Sequence, residues 1–219
     1  MKKILLGLFA LSCVSMAAET NLYFRAGADL GGKFDIIQEN DPIDPDFNKK
    51  DADDFAWELA IEATKEFYPN LELGLGIAYQ DHGNPKSHLY MDSDYTVNYE
   101  VPGYTSIPLY LIAKYNFNAI NNFIPYIKTN IGYSFNNDNG NLKLDDSEDG
   151  KDEINFKMKD GLYCGIGAGL EYNNFTIDAM YQLNKAKGEI ETNDPDNIKD
   201  DFNYSRFTLS FGYKFNLDF

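Results

Sequence analysis

Apolar and polar residues alternate with a period of two in eight separate segments of the chain. In the first segment, Leu22, Phe24 and Ala26 share one face, and Arg25 and Gly27 share the other. Because successive side chains of a strand point to opposite faces, each segment is predicted to be a β-strand with one apolar face. The eight predicted strands span residues 21–36, 55–66, 71–80, 106–117, 127–135, 162–171, 175–184 and 207–219.

The connections between these strands alternate in length. The short connections cover residues 69–70, 118–122 and 173–174, and the long ones cover 38–54, 81–103, 136–157 and 185–201. Strands of about 9–11 residues can cross a bilayer at a tilt, and bacterial membrane barrels have short turns at one end and long loops at the other. The predicted fold is all-β: an eight-stranded, antiparallel, transmembrane up-and-down β-barrel.

The direction of the apolar face separates a membrane barrel from a soluble one such as a lipocalin, whose apolar face points inward. Nine glycines lie on the polar face, and small residues suit the crowded lumen of a narrow barrel. Phenylalanines lie near the strand ends on the apolar face, as in the aromatic girdles of membrane barrels. These are Phe24, Phe34, Phe55, Phe67, Phe117, Phe123, Phe175, Phe215 and Phe219. The apolar face is therefore expected to contact lipid.

Charged residues on the polar face fall at similar heights along their strands. In a lumen filled by side chains such charges must be paired, because isolated buried charges are very costly. We therefore expect an ion-pair network inside the barrel, with a gated pore as the functional alternative. Its predicted members are Arg25, Lys114, Lys128, Lys214, Glu62, Glu66, Glu72, Glu171 and Asp178.

The first residues have the form of a secretory signal. Lys2 and Lys3 precede the apolar run 4–11, and Ser15 and Ala17 supply the small residues of a cleavage site. We expect residues 1–18 to be a cleaved signal peptide and 19–219 to form the barrel domain. An uncleaved anchor helix would need about 20 apolar residues, and lipidation at Cys13 would require a better lipobox than the one present.

The net charge of −16 is concentrated in the four long connections, which together carry −15. Loops of this charge are expected to be solvated and to repel nucleic acid. After signal cleavage Cys164 would be the remaining cysteine, so no intrachain disulfide is expected. No phosphate-binding loop or zinc cluster is visible in the sequence, and no cofactor is predicted.

The closing run from Arg206 to Phe219 resembles the C-terminal strand of bacterial outer-membrane proteins, which ends in Phe after alternating apolar residues. The segments 67–76 and 124–133 look like those of the opacity-type and OmpA/OmpX-like small barrels. This resemblance implies a bacterial outer-membrane location with external loops and periplasmic termini. It also implies contact with outer-membrane lipid and lipopolysaccharide, and recognition of Phe215 and Phe219 by the barrel-assembly machinery.

Proteins with this fold include structural proteins, adhesins and enzymes, so the resemblance does not determine the activity. We expect a structural or surface-interaction role, such as adhesion to a host or matrix partner. Aromatic residues in the second long connection, and one directly after it, are candidate contact residues, unless they simply cap the barrel; they are Tyr90, Tyr95, Tyr99 and Tyr104.

The long connections offer candidates for two kinds of chemistry. Residues 145–150 begin like a calcium loop, but Phe156 replaces the bidentate Glu, which leaves only weak cation bridging to lipopolysaccharide. A lipid A deacylase-like hydrolase or an omptin-like protease would need a histidine at the outer rim. The candidate groups are His82, His88, Ser87, Ser93, Asp81 and Asp92. Nothing in the pattern fixes a nucleophile beside a base, so no enzyme activity and no catalytic or metal-binding residue is predicted.

Overall fold

A computed structural model describes residues 20–35, 49–92, 95–146, 150–190 and 198–217 of the protein. The predicted signal peptide, residues 1–18, lies outside these residues. No helix among the described residues is long and apolar enough to span a membrane. The described strands are, in chain order, β1 Thr20–Asp35, β2 Lys49–Asp51, β3 Trp57–Tyr68, β4 Leu71–Asp81, β5 His88–Asp92, β6 Tyr95–Glu100, β7 Tyr104–Asn116, β8 Ile124–Asp138, β9 Leu142–Asp146, β10 Gly150–Ile154, β11 Phe156–Lys159, β12 Gly161–Tyr172, β13 Phe175–Asn184, β14 Lys187–Ile190, β15 Ile198–Asp201 and β16 Tyr204–Leu217.

Eight of these strands form a closed antiparallel barrel. Their order around the wall is β1, β3, β4, β7, β8, β12, β13 and β16, and β16 pairs with β1 to close the circle. Each strand pairs with the next wall strand along the chain, so the topology is up-and-down. The prediction of an eight-stranded antiparallel barrel is confirmed. Closure also means that every wall strand has hydrogen-bonded neighbours on both sides, which removes the sheet edges.

Three short turns join the wall strands at what we call the turn end of the barrel. Asn70, Asn173 and Asn174 adopt positive φ angles of 67°, 46° and 73° there. Asn121 and Asn122, in the remaining turn, have φ angles of 50° and 69°. Tight hairpins need this left-handed backbone, and asparagine tolerates it better than most residues, which explains the recurrence of Asn at these positions.

The outward and inward faces divide as the alternation predicts over most of the wall. Large apolar side chains such as Leu111, Ile166 and Phe207 are exposed on the outside. Buried polar side chains, among them Thr176 and Gln182, fill the inside. The barrel is therefore inverted relative to a soluble protein, with its polar residues in the core.

A β-bulge in β1 reverses this division near the opposite end of the barrel, which we call the loop end. The register with β16 shifts between Leu30 and Lys33, and Gly31 at the shift has a φ of 64°. Beyond the bulge Phe34 points inward and is 0% exposed. The prediction of Phe34 as a girdle residue is wrong, because one extra residue exchanges the two faces of a strand.

The long connections contain strands of their own rather than only solvated loop. A four-stranded sheet has the order β10-β9-β6-β5, and a three-stranded sheet has the order β11-β14-β15. Strand β2 pairs with the far end of β1. The order in each small sheet follows the order of the wall strands to which its members connect, so the small sheets continue the wall at the loop end.

Inward glycines make room for tyrosine rings inside the barrel. A Cβ atom added to Gly76 would overlap the ring of Tyr110, and one added to Gly169 would overlap the ring of Tyr126. Tyr110 cannot easily move away, because it is buried and its hydroxyl donates to Glu62 over 3.1 Å. The size of the lumen thus dictates glycine at these positions.

We predict that Gly76→Ala destabilises the barrel by about 1–3 kcal/mol, the usual cost of overpacking. Gly165→Ala is the matched control, because its added Cβ would meet its nearest neighbours at 3.4 Å, an ordinary contact distance. The measurement is the urea midpoint of folding into lipid vesicles. Equal midpoints for the two variants would contradict the role assigned to Gly76.

Candidate functional site

A cluster of four charged side chains occupies the middle of the lumen. Arg25 Nε lies 2.8 Å from Glu62 Oε2, and a second nitrogen of the same guanidinium contacts Asp178. Lys128 Nζ lies 3.2 Å from Glu62 Oε1 and 3.8 Å from Asp178 Oδ1. Tyr126 donates its hydroxyl to Asp178 over 2.6 Å. Two cations and two carboxylates therefore neutralise one another across four strands.

A second cluster lies closer to the turn end. Lys114 Nζ is 3.3 Å from Glu72 Oε1 and 3.1 Å from Glu171 Oε2, and Lys214 contacts the other oxygen of Glu171. Tyr23 donates to Glu72 over 3.0 Å and accepts from Lys114 over 2.9 Å. The two clusters together bring eight of the nine side chains predicted for the interior network into contact with oppositely charged partners.

Glu66 is the exception, and its predicted place in the network is corrected. Its side chain is exposed, and its Oε1 accepts a hydrogen bond of 2.7 Å from the backbone N–H of Asn70. The register shifts next to it, between Glu66 and Tyr68, where the strand leaves the barrel. Glu66 therefore stabilises a turn instead of pairing with a buried cation.

A third cluster, which sequence reasoning misses, lies toward the loop end. Arg206 is buried there, with its Nε 2.9 Å from Asp29 and another nitrogen 3.5 Å from Glu58. Arg206 also donates to the side-chain oxygens of Gln182 and Asn184. The period-two alternation could have indicated Arg206 as an inward residue, because it continues the inward face of the last strand one residue before the predicted start of that strand.

The charges of the three clusters nearly balance, which explains how a narrow lumen can hold so many ionised side chains. The three clusters contain six carboxylates and five cations. The carboxylates are Asp29, Glu58, Glu62, Glu72, Glu171 and Asp178, and the cations are Arg25, Lys114, Lys128, Arg206 and Lys214.

The lumen above the third cluster is closed by aromatic side chains. We call Phe34, Tyr104, Phe156, Phe202 and Tyr204 the aromatic plug; all are buried in one cluster with Met158 and Ala186. The ring centroids of Phe34 and Tyr204 are 4.6 Å apart, and those of Phe156 and Phe202 are 5.3 Å apart. The plug joins the bases of several long connections, and among the described residues it caps a lumen already filled by ion pairs.

Tyr104 is one of the predicted contact residues, and its position in the plug overturns that expectation. It is 0% exposed, so it caps the barrel, which is the alternative interpretation. Tyr90, Tyr95 and Tyr99 lie on β5 and β6, and their side chains are outside the part of the protein that the structure describes.

His82, a candidate for catalysis in the second long connection, is buried beside the plug. Its ring centroid lies 4.6 Å from that of Tyr104 and 4.4 Å from that of Tyr204. Its Nε2 is 2.8 Å from Ser106 Oγ, but Ser106 is also 0% exposed and its hydroxyl is bound to Asn136. A histidine and a serine are thus in contact, yet a substrate has no access to either.

Burial holds the pKa of His82 well below its usual value of 6.5, and the positive charge of Arg206 lowers this pKa further. The buried ring is therefore neutral at physiological pH. Its other nitrogen, Nδ1, is buried and has no hydrogen-bond partner among the described residues.

The remaining candidate residues fall partly outside the described chain. Residues 147–149 of the calcium-like segment and Phe219 of the assembly signal belong to the undescribed part. Within the described part, no group of three His, Cys, Asp or Glu side chains is placed to hold a metal ion. Phe215 is half-exposed on the outward face, where its ring contacts Phe24 edge-on at 5.6 Å.

Similarity to known proteins identifies the family of this barrel. Residues 4–215 match the family described as outer membrane protein beta-barrel domain. The chain belongs to this family. An uncharacterized protein of Pasteurella multocida, PM1543, is 31% identical over 204 residues, covering 83% of this chain and 84% of that protein.

Solved structures resemble this outer-membrane barrel at low sequence identity. The outer membrane protein OprG from Pseudomonas aeruginosa is 12% identical, with a TM-score of 0.50, covering 92% of this chain and 97% of that one. Neisserial surface protein A is 11% identical, with a TM-score of 0.45, covering 91% of this chain and 100% of that one. Membership of an outer-membrane family accounts for the outward apolar face, because such barrels carry an outward apolar band and a polar interior.

We predict that Glu62→Gln destabilises the barrel by about 3–5 kcal/mol, because Arg25 and Lys128 would then have Asp178 alone between them, and one buried positive charge would lack a counter-ion. Glu66→Gln is the matched control on the same strand, and its midpoint should equal that of the unchanged protein. Urea unfolding in lipid vesicles gives both values. A similar loss in the two variants would contradict the different places assigned to these glutamates.

Proposed function

We propose that this outer-membrane barrel is a non-enzymatic surface protein that presents acidic strands to the external medium, in a structural or adhesive role. In this proposal the loop end is external and the turn end, with both termini, is periplasmic. The observation that carries it is that the long connections, which hold nearly all of the net charge, contain sheets that stand above a closed lumen.

The lengths of the wall strands support this arrangement. Strand β1 has 16 residues and β8 has 15, whereas about 9–11 residues suffice to cross a bilayer. The excess lies toward the loop end, where β2 and the small sheets pair. A wall that continues beyond the membrane would hold a binding surface away from the lipid headgroups.

The charge of the loop end favours a cationic partner. Strand β10 is exposed and carries Lys151, Asp152 and Glu153, and Lys151 is already paired with Asp145 over 2.9 Å. Opposite charge on a partner would accelerate encounter, and like charge would slow it. Outer-membrane lipid and lipopolysaccharide would surround the wall, and the barrel-assembly machinery would read the last strand.

The two alternative functions receive less support from the geometry. A hydrolase would need a base and a nucleophile that reach the substrate, but His82 and Ser106 are both buried. A pore would need a continuous lumen, but ion pairs and the aromatic plug fill the described interior.

The proposed orientation predicts which end of the barrel is labelled on intact cells. In a Cys164→Ser background, Lys151→Cys at the loop end should react with a membrane-impermeant maleimide. Ala119→Cys, in a short turn, should react only after the outer membrane is permeabilised. Labelling of Ala119→Cys alone on intact cells would overturn the orientation.

The proposed partner chemistry predicts binding of the protein in lipid nanodiscs to polylysine-coated and not to heparin-coated surfaces. Replacing Asp145, Asp152 and Glu153 with their amides should lower the association rate about tenfold at low salt, because steering depends on charge. The control is Glu66→Gln at the turn end, which should bind as the unchanged protein does. Binding that is indifferent to the triple replacement would contradict the proposal.

A further inference from the structure

We propose that His82 is an acid-operated latch: a proton on its ring opens the aromatic plug and loosens the strands at the loop end. The latch depends on the fold and not on the proposed adhesive role, so the two can fail separately. It rests on the positions of the protons around the ring, on the groups that face it, and on the unmade hydrogen bonds of the plug.

The hydrogen bonds around Ser106 fix which nitrogen of His82 carries the proton. Asn136 donates its Nδ2 to the carbonyl of Lys159 over 3.0 Å, so its Oδ1 faces Ser106. Ser106 donates its hydroxyl proton to that oxygen over 2.8 Å. Ser106 must therefore accept from His82, across 2.8 Å, which places the proton of the neutral ring on Nε2. The lone pair is left on Nδ1.

Among the described residues, no group that faces the ring is placed to accept a hydrogen bond from a protonated Nδ1. The rings packed against His82 belong to Tyr104 on β7 and Tyr204 on β16. Arg206, also on β16, adds a positive charge that disfavours an imidazolium. Asp81, the preceding residue, accepts from the backbone of Gly83 over 3.1 Å.

The carboxylates below the plug are committed to other partners. Asp29 on β1 and Glu58 on β3 face Arg206, at 2.9 and 3.5 Å. An imidazolium at His82 would therefore be buried without a counter-ion, which is strongly unfavourable. The His82 ring can therefore be protonated only when the plug opens and water reaches the ring.

The plug is suited to open because its closed form already lacks hydrogen bonds. Nδ1 of His82 and the hydroxyl groups of Tyr104 and Tyr204 are all buried without a hydrogen-bond partner among the described residues. Each of them would regain a partner in water. Phe34, Tyr104 and Tyr204 also lie at the loop-end tips of β1, β7 and β16, so these tips can part while the rest of the wall stays paired.

The direction and size of the effect follow from the linkage between protonation and opening. A histidine with a lowered pKa in the closed form stabilises that form above pH 6.5, and this stabilisation is lost as the pH falls below 6.5. With an ordinary pKa in the open form, the ratio of open to closed plug should rise about tenfold between about pH 7.5 and 5.5.

Hydrogen exchange of the full chain in lipid nanodiscs tests the latch. Protection factors, corrected for the intrinsic effect of pH, should fall about tenfold from about pH 7.5 to 5.5 in peptides that contain Tyr104 and Tyr204. Peptides at the turn end should not change. His82→Gln should remove the pH dependence, and His88→Gln, which alters the chain's other histidine, should retain it.

Two results would overturn the proposal: plug protection that is independent of pH in the unchanged protein, or a pH dependence that survives in His82→Gln. If His82→Gln fails to fold, ¹⁵N spectra of the histidine rings in the unchanged protein decide instead. The proposal requires neutral His82, protonated on Nε2, while the plug is closed. An imidazolium signal from His82 with plug protection intact would refute it.

Discussion

The closed ladder of backbone hydrogen bonds is the constraint on which the rest of this molecule depends. Closure with eight strands gives every wall strand a hydrogen-bonded neighbour on both sides, but it also leaves a lumen too narrow to hold anything except side chains. Those side chains are polar because the apolar ones are needed outside, against lipid. The polar core is therefore filled by ion pairs, such as those of Arg25 with Glu62 and of Lys114 with Glu171.

Different parts of the lumen solve the filling problem in different ways. Near the turn end and in the middle, carboxylates shared between two cations keep the charges balanced. At the loop end, where strands arrive from several long connections, the filling changes from ion pairs to aromatic rings. His82 lies at this change, with tyrosine rings packed against it and an arginine nearby. His82 is thus a titratable group in a part of the interior where three buried polar atoms lack hydrogen-bond partners among the described residues: its own Nδ1 and the hydroxyl oxygens of Tyr104 and Tyr204.

The wall was predictable because a period of two is a local property that each strand displays by itself. The same alternation placed Arg25, Glu62 and Asp178 on the inner face. It failed where a non-local event intervened: the bulge at Gly31 turned Phe34 inward, and the end of the barrel left Glu66 exposed. The plug and the small sheets depend on contacts between distant connections, for which the alternation of one segment carries no information.

The height of the wall has a consequence for whatever touches the loop end. At about 3.3 Å per residue, the 16 residues of β1 extend roughly 50 Å, which at a tilt of about 45° is about 35 Å along the membrane normal and slightly exceeds the hydrocarbon layer. A load applied to the far end of such a strand is shared sideways by its hydrogen-bonded neighbours. The membrane thereby holds the larger part of each long wall strand, and pairing with neighbouring strands holds the remainder at the loop end.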